Sequence, residues 1–535
     1  MAIQCPRCGG RMVFDIPHQY LQCTYCGTTM PVETYGQNNA AQYSSDTYNA
    51  NLYTCRSCGA ELVAPDEQTV AYCAYCGGEA FLNQKNTPMT RPQRIIPFRK
   101  SKDNAKNYFA NGLKKKLYVP KELKSAEFLD TFHGIYLPYW NIEARVPDHE
   151  IMLTGTRSYT QGKYDYKEDY EIEADIGGTV SGLAYDASAA FDDTIANEIA
   201  PFERKDERSF SEGYLAGFYS DKPTASPELY YDEAGQVVIE SVYKDVERGA
   251  GKVSVTRSES EEVRRSQIGM TDLRSSISLF PVWFLTWRRG DRVAYSVMNG
   301  QTGKMAMDIP VDKKKFFAVS VLAAAALFFL LTWLSGFIIP KTAAVISAVF
   351  LVISSFTLSG ELKQIYIKEN HVYDYGDTTS NVQKKRRKAG GGNVLGQVGK
   401  NVKLSNVLMI VIFCVCAFPS IIFSVLTGVV GSGKFMLLAA LAVQLFLSIK
   451  TMARLRGIAR KTAIIPAILA PLVLTAGVLI FASNPAADYW YYGTAIGCLI
   501  AMVANCLSAI NYFNYLTTRP VPNFFRREGA NNAAD

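Results

Sequence analysis

DKKKFFAVSVLAAAALFFLLTWLSGFIIPKTAAVISAVFLVISSFTL, residues 312–358, decides how the rest of the chain is read. After the basic triplet Lys313, Lys314 and Lys315, the run from Phe316 to Ile339 carries no charge. At about 1.5 Å per residue it is long enough to cross a hydrocarbon core roughly 30 Å thick. Pro340 and Lys341 interrupt it, and a second apolar run, Thr342 to Leu358, follows at once. Lipid leaves no water to satisfy an open backbone, so the pair reads as a helical hairpin with a short outer turn. Everything before this hairpin reads as water-soluble, and almost everything after it as membrane.

Charge divides the same way. Of 56 Lys+Arg and 49 Asp+Glu, residues 1–310 hold 34 and 41, a net of −7. Residues 311–535 hold 22 and 8, a net of +14. The basic balance therefore belongs to the membrane half, where it orients helices and attracts anionic headgroups. Four more apolar segments follow a polar, basic stretch at 360–404 that includes Lys384 to Lys388: Ser405 to Val430, Phe435 to Ile449, Thr462 to Ala482 and Tyr489 to Tyr512. The second of these has only 15 residues between Lys434 and Lys450. It spans only if the lysines snorkel or the helix extends. With six spans and both termini inside, the inner segments carry 20 Lys+Arg and the outer ones only Lys341 and Lys434. That asymmetry predicts a cytoplasmic N-terminal region. Met1 to Arg11 offers no secretory apolar stretch, which agrees.

Eight cysteines form two copies of one pattern. Cys5, Cys8, Cys23 and Cys26 recur as Cys55, Cys58, Cys73 and Cys76, each C-x-x-C pair separated from the next by 14 residues. In a reducing compartment such pairs hold metal more readily than they form disulfides. Four thiolates fit tetrahedral Zn²⁺ with no open position, so two structural zinc ions per chain are expected. The remaining cysteines, Cys414, Cys416, Cys498 and Cys506, lie in apolar runs and read as small hydrophobes.

The expected organisation is zinc ribbon 1 at 1–34, a linker at 35–51, zinc ribbon 2 at 52–83 and a linker at 84–94. A mixed α+β cytoplasmic domain follows at 95–310, then a transmembrane hairpin at 311–359, a basic loop at 360–404, transmembrane helices 3–6 at 405–516 and a tail at 517–535. Within the α+β domain, Ser101 starts a helix that runs to Lys116, with Ala105, Tyr108, Phe109 and Leu113 on one face. Strands are expected at 142–156, 164–176, 237–242, 253–257, 279–288 and 293–298, with a helix near 187–199. Ile135 to Trp140 and Leu279 to Trp283 look alike, each placing Pro and Trp at the start of a core strand. Asn299 to Gly303 reads as a hairpin turn.

The order of ribbon, Ile95 to Phe98, Gly134 to Trp140, Pro281 to Leu285 and Asn299 to Gly303 before a membrane segment resembles a bacterial family of zinc-ribbon multipass membrane proteins. These are associated with SPFH (flotillin-like) proteins and phage-shock PspA-type proteins. The resemblance implies a scaffold at the bacterial cytoplasmic (inner) membrane with those two classes as partners in envelope stress.

No catalytic constellation is legible. His18, His133, His149 and His371 are scattered, and Asp192 with Asp193 or Glu261 with Glu262 read as solvated charge. The run Gly428 to Lys434 imitates a phosphate loop, but Phe435 stands where Ser or Thr would hold Mg²⁺. A non-enzymatic scaffold is thus expected, with a transporter or channel as the alternative. A membrane-tethered nucleic-acid binder is a second alternative, opposed by charge. Residues 1–90 hold only Arg7, Arg11, Arg56 and Lys85 against seven carboxylates, so no nucleic acid is expected as a partner.

Overall fold

In the computed structural model, the described residues are 3–37, 47–64, 73–78, 82–114, 116–188, 191, 193–257, 260–270, 272–322, 340–371, 431–454 and 457–524. The first cysteine group sits on strands β1 (Met12–Asp15), β2 (Tyr20–Cys23) and β3 (Thr29–Met30), followed by helix α1 (Val32–Gln37). The second sits on β4 (Thr47–Cys55), β5 (Glu61–Ala64) and β6 (Leu82–Thr90). Then come β7 (Arg94–Ile95), α2 (Lys102–Lys114), α3 (Ala126–Asp130), β8 (His133–Gln161), β9 (Tyr164–Asp186) and α4 (Asp193–Ile199). The α+β part continues through β10 (Arg208–Ser209), β11 (Tyr219–Asp221), α5 (Glu228–Ala250), β12 (Ser254–Val255) and α6 (Glu261–Ile268). It ends with β13 (Asp272–Arg289), β14 (Arg292–Asn299) and β15 (Met305–Met307).

The two look-alike segments are cross-strand partners. β8 and β13 run antiparallel with Ile135 opposite Val282, Leu137 opposite Phe280 and Pro138 opposite Leu279. Each tryptophan donates its indole N–H to a loop carbonyl, Trp140 to Ala225 at 2.8 Å and Trp283 to Lys100 at 2.7 Å. Both faces of this central pair are buried. Ile135, Leu137, Phe280, Val282 and Phe284 pack with α4 on one side. Tyr136, Trp283, Leu285 and Trp287 pack with Phe98, α2 and the first ribbon on the other. Such strands read as continuous apolar runs, without the alternation of a half-wet sheet.

Helix α2 starts as expected. The Ser101 hydroxyl accepts the Asn104 N–H at 3.3 Å while the Asn104 side chain accepts the Ser101 N–H at 2.9 Å, a reciprocal cap. Ala105, Phe109 and Leu113 form its buried stripe.

Three readings differ from the structure. The expected strand at 237–242 lies inside α5, where Ala234, Gly235, Val238, Ile239, Tyr243 and Val246 are buried. These positions repeat at helical spacing over 23 residues, and that longer period overrides the local β-branched run. The expected linkers carry sheet: residues 47–51 belong to β4 and residues 84–90 to β6, and those two strands pair from Thr47 opposite Thr90 to Cys55 opposite Leu82. Through β5, β11 and β8 they join the central sheet, so the second ribbon is part of the α+β domain. Finally, β8 and β9 reach well beyond the expected strands, forming a long hairpin arm to Gln161 opposite Tyr164. Helices α5 and α6 cover the arm through Val238, Ile239, Tyr243, Val246 and Ile268, against Ile151, Leu153 and Ile176.

Among the described residues four helices, not the expected six, are long and apolar enough to cross a membrane. They are α7 (Pro340–His371), α8 (Gly431–Arg454), α9 (Gly457–Ser483) and α10 (Tyr489–Leu516). Of the expected first span, residues 316–322 are helical and 323–339 lie outside the described residues; the whole of the expected third span, 405–430, lies outside them. Helix α8 extends past both lysines, with 21 residues, Gly433–Ala453, in its apolar window, so the expected short span is long enough.

The helix ends sort into two groups. Lys341 donates to Asn484 at 2.9 Å and lies over the Tyr491 ring, with Phe481 against Tyr491. At the opposite end, Leu358, Ala463 and Tyr512 cluster on the side of the α+β domain. There the Asn514 side chain clasps the backbone of Val311 in both directions, at 2.7 and 2.9 Å. A short strand β16 (Arg519–Pro520) then leaves α10 and pairs with β14.

Candidate metal centres

Each cysteine pair forms a knuckle in which a glycine N–H returns to the first cysteine's carbonyl: Gly9 to Cys5, Gly27 to Cys23, Gly59 to Cys55 and Gly77 to Cys73. All four glycines have φ between 62° and 78°, a conformation that a side chain strains. These turns aim the thiols at common points. In the first group, Sγ–Sγ separations are 3.6 Å (Cys5 to Cys26) and 3.5 Å (Cys8 to Cys23). In the second they are 3.8 Å (Cys55 to Cys76) and 3.7 Å (Cys58 to Cys73). A tetrahedral ion with Zn–S bonds near 2.3 Å requires edges of about 3.8 Å, whereas a disulfide requires about 2 Å. Both groups can hold a metal ion, and the donor set and spacing are compatible with zinc. Two thiols in each group are held below their usual range: Cys5 and Cys26 in the first, Cys26 to about 6 by the Thr28 hydroxyl, and Cys55 and Cys76 in the second, Cys55 to about 7 by the Cys58 thiol.

The surroundings of the two groups differ. In the first, Cys8 and Cys26 are exposed and Tyr25 between the ligands is 86% exposed. This ribbon is anchored from its other side. The Phe14 N–H donates to Ala216 at 3.0 Å, its ring meets Tyr214, and Gln19 donates to the Phe98 carbonyl at 2.8 Å. The metal rim is left facing water.

In the second group all four cysteines are buried. The Tyr295 hydroxyl donates to the Tyr75 carbonyl at 2.6 Å, Thr286 donates to the Ala74 carbonyl, and Arg288 reaches the Cys76 carbonyl at 3.5 Å. The Tyr75 hydroxyl donates to Asp221 at 2.5 Å. Burial pushes the Asp221 carboxyl up to about 6, partly offset by hydrogen bonds from Ser188 and Tyr75. Phe524, beyond the last helix, donates its N–H to the Cys58 carbonyl at 2.6 Å and sets its ring edge-on to Tyr75. None of these neighbours was visible from spacing, because each comes from a distant strand or from the tail.

The structure spreads the other polar residues singled out above. His18 is exposed beside Asp15, and His149 lies between the carbonyls of Pro147 and Gln267. His133 is half-buried, its imidazole pushed down to about 4 by desolvation. Glu262 is exposed on α6, and Asp192 lies outside the described residues. Gly431 to Lys434 form the first turn of α8, and 428–430 lie outside the described residues. Cys498 is buried among the helices and Cys506 faces outward, while Cys414 and Cys416 lie outside the described residues.

No protein-family model matches the chain, and no solved structure matches it. The chain is similar to uncharacterized protein YdjG of Bacillus subtilis (strain 168), 29% identical over 328 residues that make up 59% of this chain and 92% of that protein.

Proposed function

We propose that the chain is a non-enzymatic integral membrane scaffold that recruits cytoplasmic proteins to the bilayer. The observation that carries this reading is the division of labour between the two metal groups. Closed four-thiolate sites leave no coordination position for a substrate, so zinc in them is structural. The buried second group ties ribbon, sheet and tail together. The first presents an exposed rim with Tyr25 at its edge, an amphipathic ring of the kind that protein interfaces use. Docking is therefore assigned to the first ribbon.

The membrane is the bacterial cytoplasmic membrane, with six spans and both termini inside, as the loop lysines and arginines favour. The sorting of α7, α9 and α10 into two sets of ends supports the same alternation. By resemblance, the partners are SPFH (flotillin-like) and PspA-type proteins of an envelope-stress response. Cross-linking at native expression, followed by purification from membranes and mass spectrometry, tests this. Recovery of both classes by the wild type, and their loss with Tyr25→Ala, is expected; recovery of neither class removes the partner assignment.

A further inference from the structure

The segment between α2 and α3 carries an arrangement that folding does not require. Its sequence from Leu113 to Lys124 holds five lysines and one carboxylate, Glu122. Leu113, Val119 and Leu123 are buried and fix the backbone to the domain. Leu117, between them, is 78% exposed, and Lys114, Lys116 and Lys121 beside it are exposed as well.

The place of this segment is set by contacts with the start of the first apolar run. The Asp312 N–H donates to the Tyr118 carbonyl at 2.8 Å, Lys315 donates to the Val119 carbonyl at 2.5 Å, and the Tyr118 ring meets Phe316 at 5.1 Å. An independent contact fixes the level. Asn514, in the last turn of α10, holds Val311, so Tyr118 and Leu117 stand where that helix leaves its apolar window. Lys313 and Lys314 add two exposed cations at the same height. Of the acids nearby, Asp308 pairs with Arg519 at 3.5 Å and also acts on Lys116, Asp312 accepts the backbone N–H groups of Lys314 and Lys315, and exposed Glu122 stands beside Lys121, against a majority of lysines.

We propose that Lys114, Lys116, Leu117 and Lys121, with Lys313 and Lys314, form a foot that rests on the membrane surface and binds anionic phospholipid headgroups. The proposal rests on α10 lying in a bilayer, not on the partner reading above. Leu117 enters the boundary between headgroups and acyl chains, and the lysines lay their stems along it while their ammonium groups meet lipid phosphate. A soluble loop so placed holds the α+β domain against the bilayer and gives the protein a preference for anionic lipid.

The test uses the full-length, metal-loaded protein in nanodiscs of phosphatidylcholine alone or of phosphatidylcholine with phosphatidylglycerol. Amide hydrogen exchange of residues 113–121 is followed by mass spectrometry, with 159–166 at the arm tip as the internal control. Exchange at 113–121 is expected to slow several-fold in the anionic discs and to stay unchanged at 159–166. The triple variant Lys114→Gln, Lys116→Gln, Lys121→Gln should abolish the lipid dependence, and Leu117→Asp should weaken protection in both discs, with metal content and insertion unaltered. Equal exchange of the wild type in the two discs overturns the proposal. So does equal slowing in neutral discs on adding inorganic phosphate, which would mark a site for free anions.

Discussion

The Phe524 N–H donates to the Cys58 carbonyl at 2.6 Å, so a residue beyond the last membrane helix closes directly on a metal knuckle near the N-terminus. The Phe524 ring continues the contact against Tyr75. The second cysteine group and the segment after α10 are thereby in direct contact.

Removing two ligands of that group, Cys55→Ser with Cys58→Ser, should cost one zinc per chain and disorder the knuckle, since metal binding supplies about 10–16 kcal/mol to such modules. Faster amide exchange is expected at 519–524, with normal membrane fractionation. The matching change at Cys5 and Cys8 should also cost one zinc but leave 519–524 protected. Metal analysis and hydrogen exchange check both, and equal effects on the tail would break the link.

Asp221 makes stability depend on pH. Its folded value of about 6 lies above the ordinary 3.8, so the folded state binds the proton more tightly than the unfolded state. The stability it contributes is present in full below about pH 4 and lost as pH rises through 6, on the order of 2–3 kcal/mol. His133, pushed down to about 4, acts with the opposite sign, contributing above 6.5 and losing that contribution on acidification. Comparing Asp221→Asn with the wild type isolates the aspartate. The wild type should gain melting temperature relative to the variant between pH 7 and 5, at verified zinc content.

Helices α7 and α10 are joined by Asn505, which donates to the Ser354 and Ser355 hydroxyls at 2.8 and 2.9 Å. Asn505→Leu should lower stability in detergent by about 0.6 to 1.7 kcal/mol, the range of such bonds in membranes. Cys506→Ala, one position on and facing outward, should change little. A thermal unfolding pair in one detergent decides it.

At Gly300 a methyl group would stand 2.5 and 2.6 Å from Phe98 ring atoms and 3.0 Å from Pro281. Phe98 cannot yield, since it is buried and stacked on Phe218 at 4.4 Å. Gly300→Ala should therefore cost about 1–3 kcal/mol through overpacking. Gly249→Ala, with nothing within 4 Å at the end of α5, should be neutral or stabilising by about 0.5–1 kcal/mol.

Much of this architecture is written locally. The cysteine spacing identifies both four-cysteine groups because a knuckle is a short-range object, and α2 is legible from its cap and stripe. Where the reading departs, the cause is long-range. Val237 to Val242 has four β-branched residues in six but is helical over 23, and only the partners of α5 reveal the longer period. Residues 47–51 and 84–90 are polar enough to pass for tethers, yet the first begin the cysteine-bearing strand β4 and the second belong to its antiparallel neighbour β6. Burial of the second metal group was hidden for the same reason: Tyr295, Thr286, Arg288 and Phe524 approach it from sequence-distant positions. The twin Pro-Trp segments are recognisable as related, but their mutual pairing is a property of the sheet.

Strand β16 sets a timetable for biosynthesis. Arg519 and Pro520 pair with Val293 and Arg292 on β14, and Arg519 faces Asp308. A ribosome making this chain releases that strand only after α7 to α10 have been translated and handed to the insertion machinery. Throughout that interval the Arg292–Val293 end of β14 lacks the partner that β16 supplies, so a chaperone or a partner has a window in which to engage it that closes when β16 emerges.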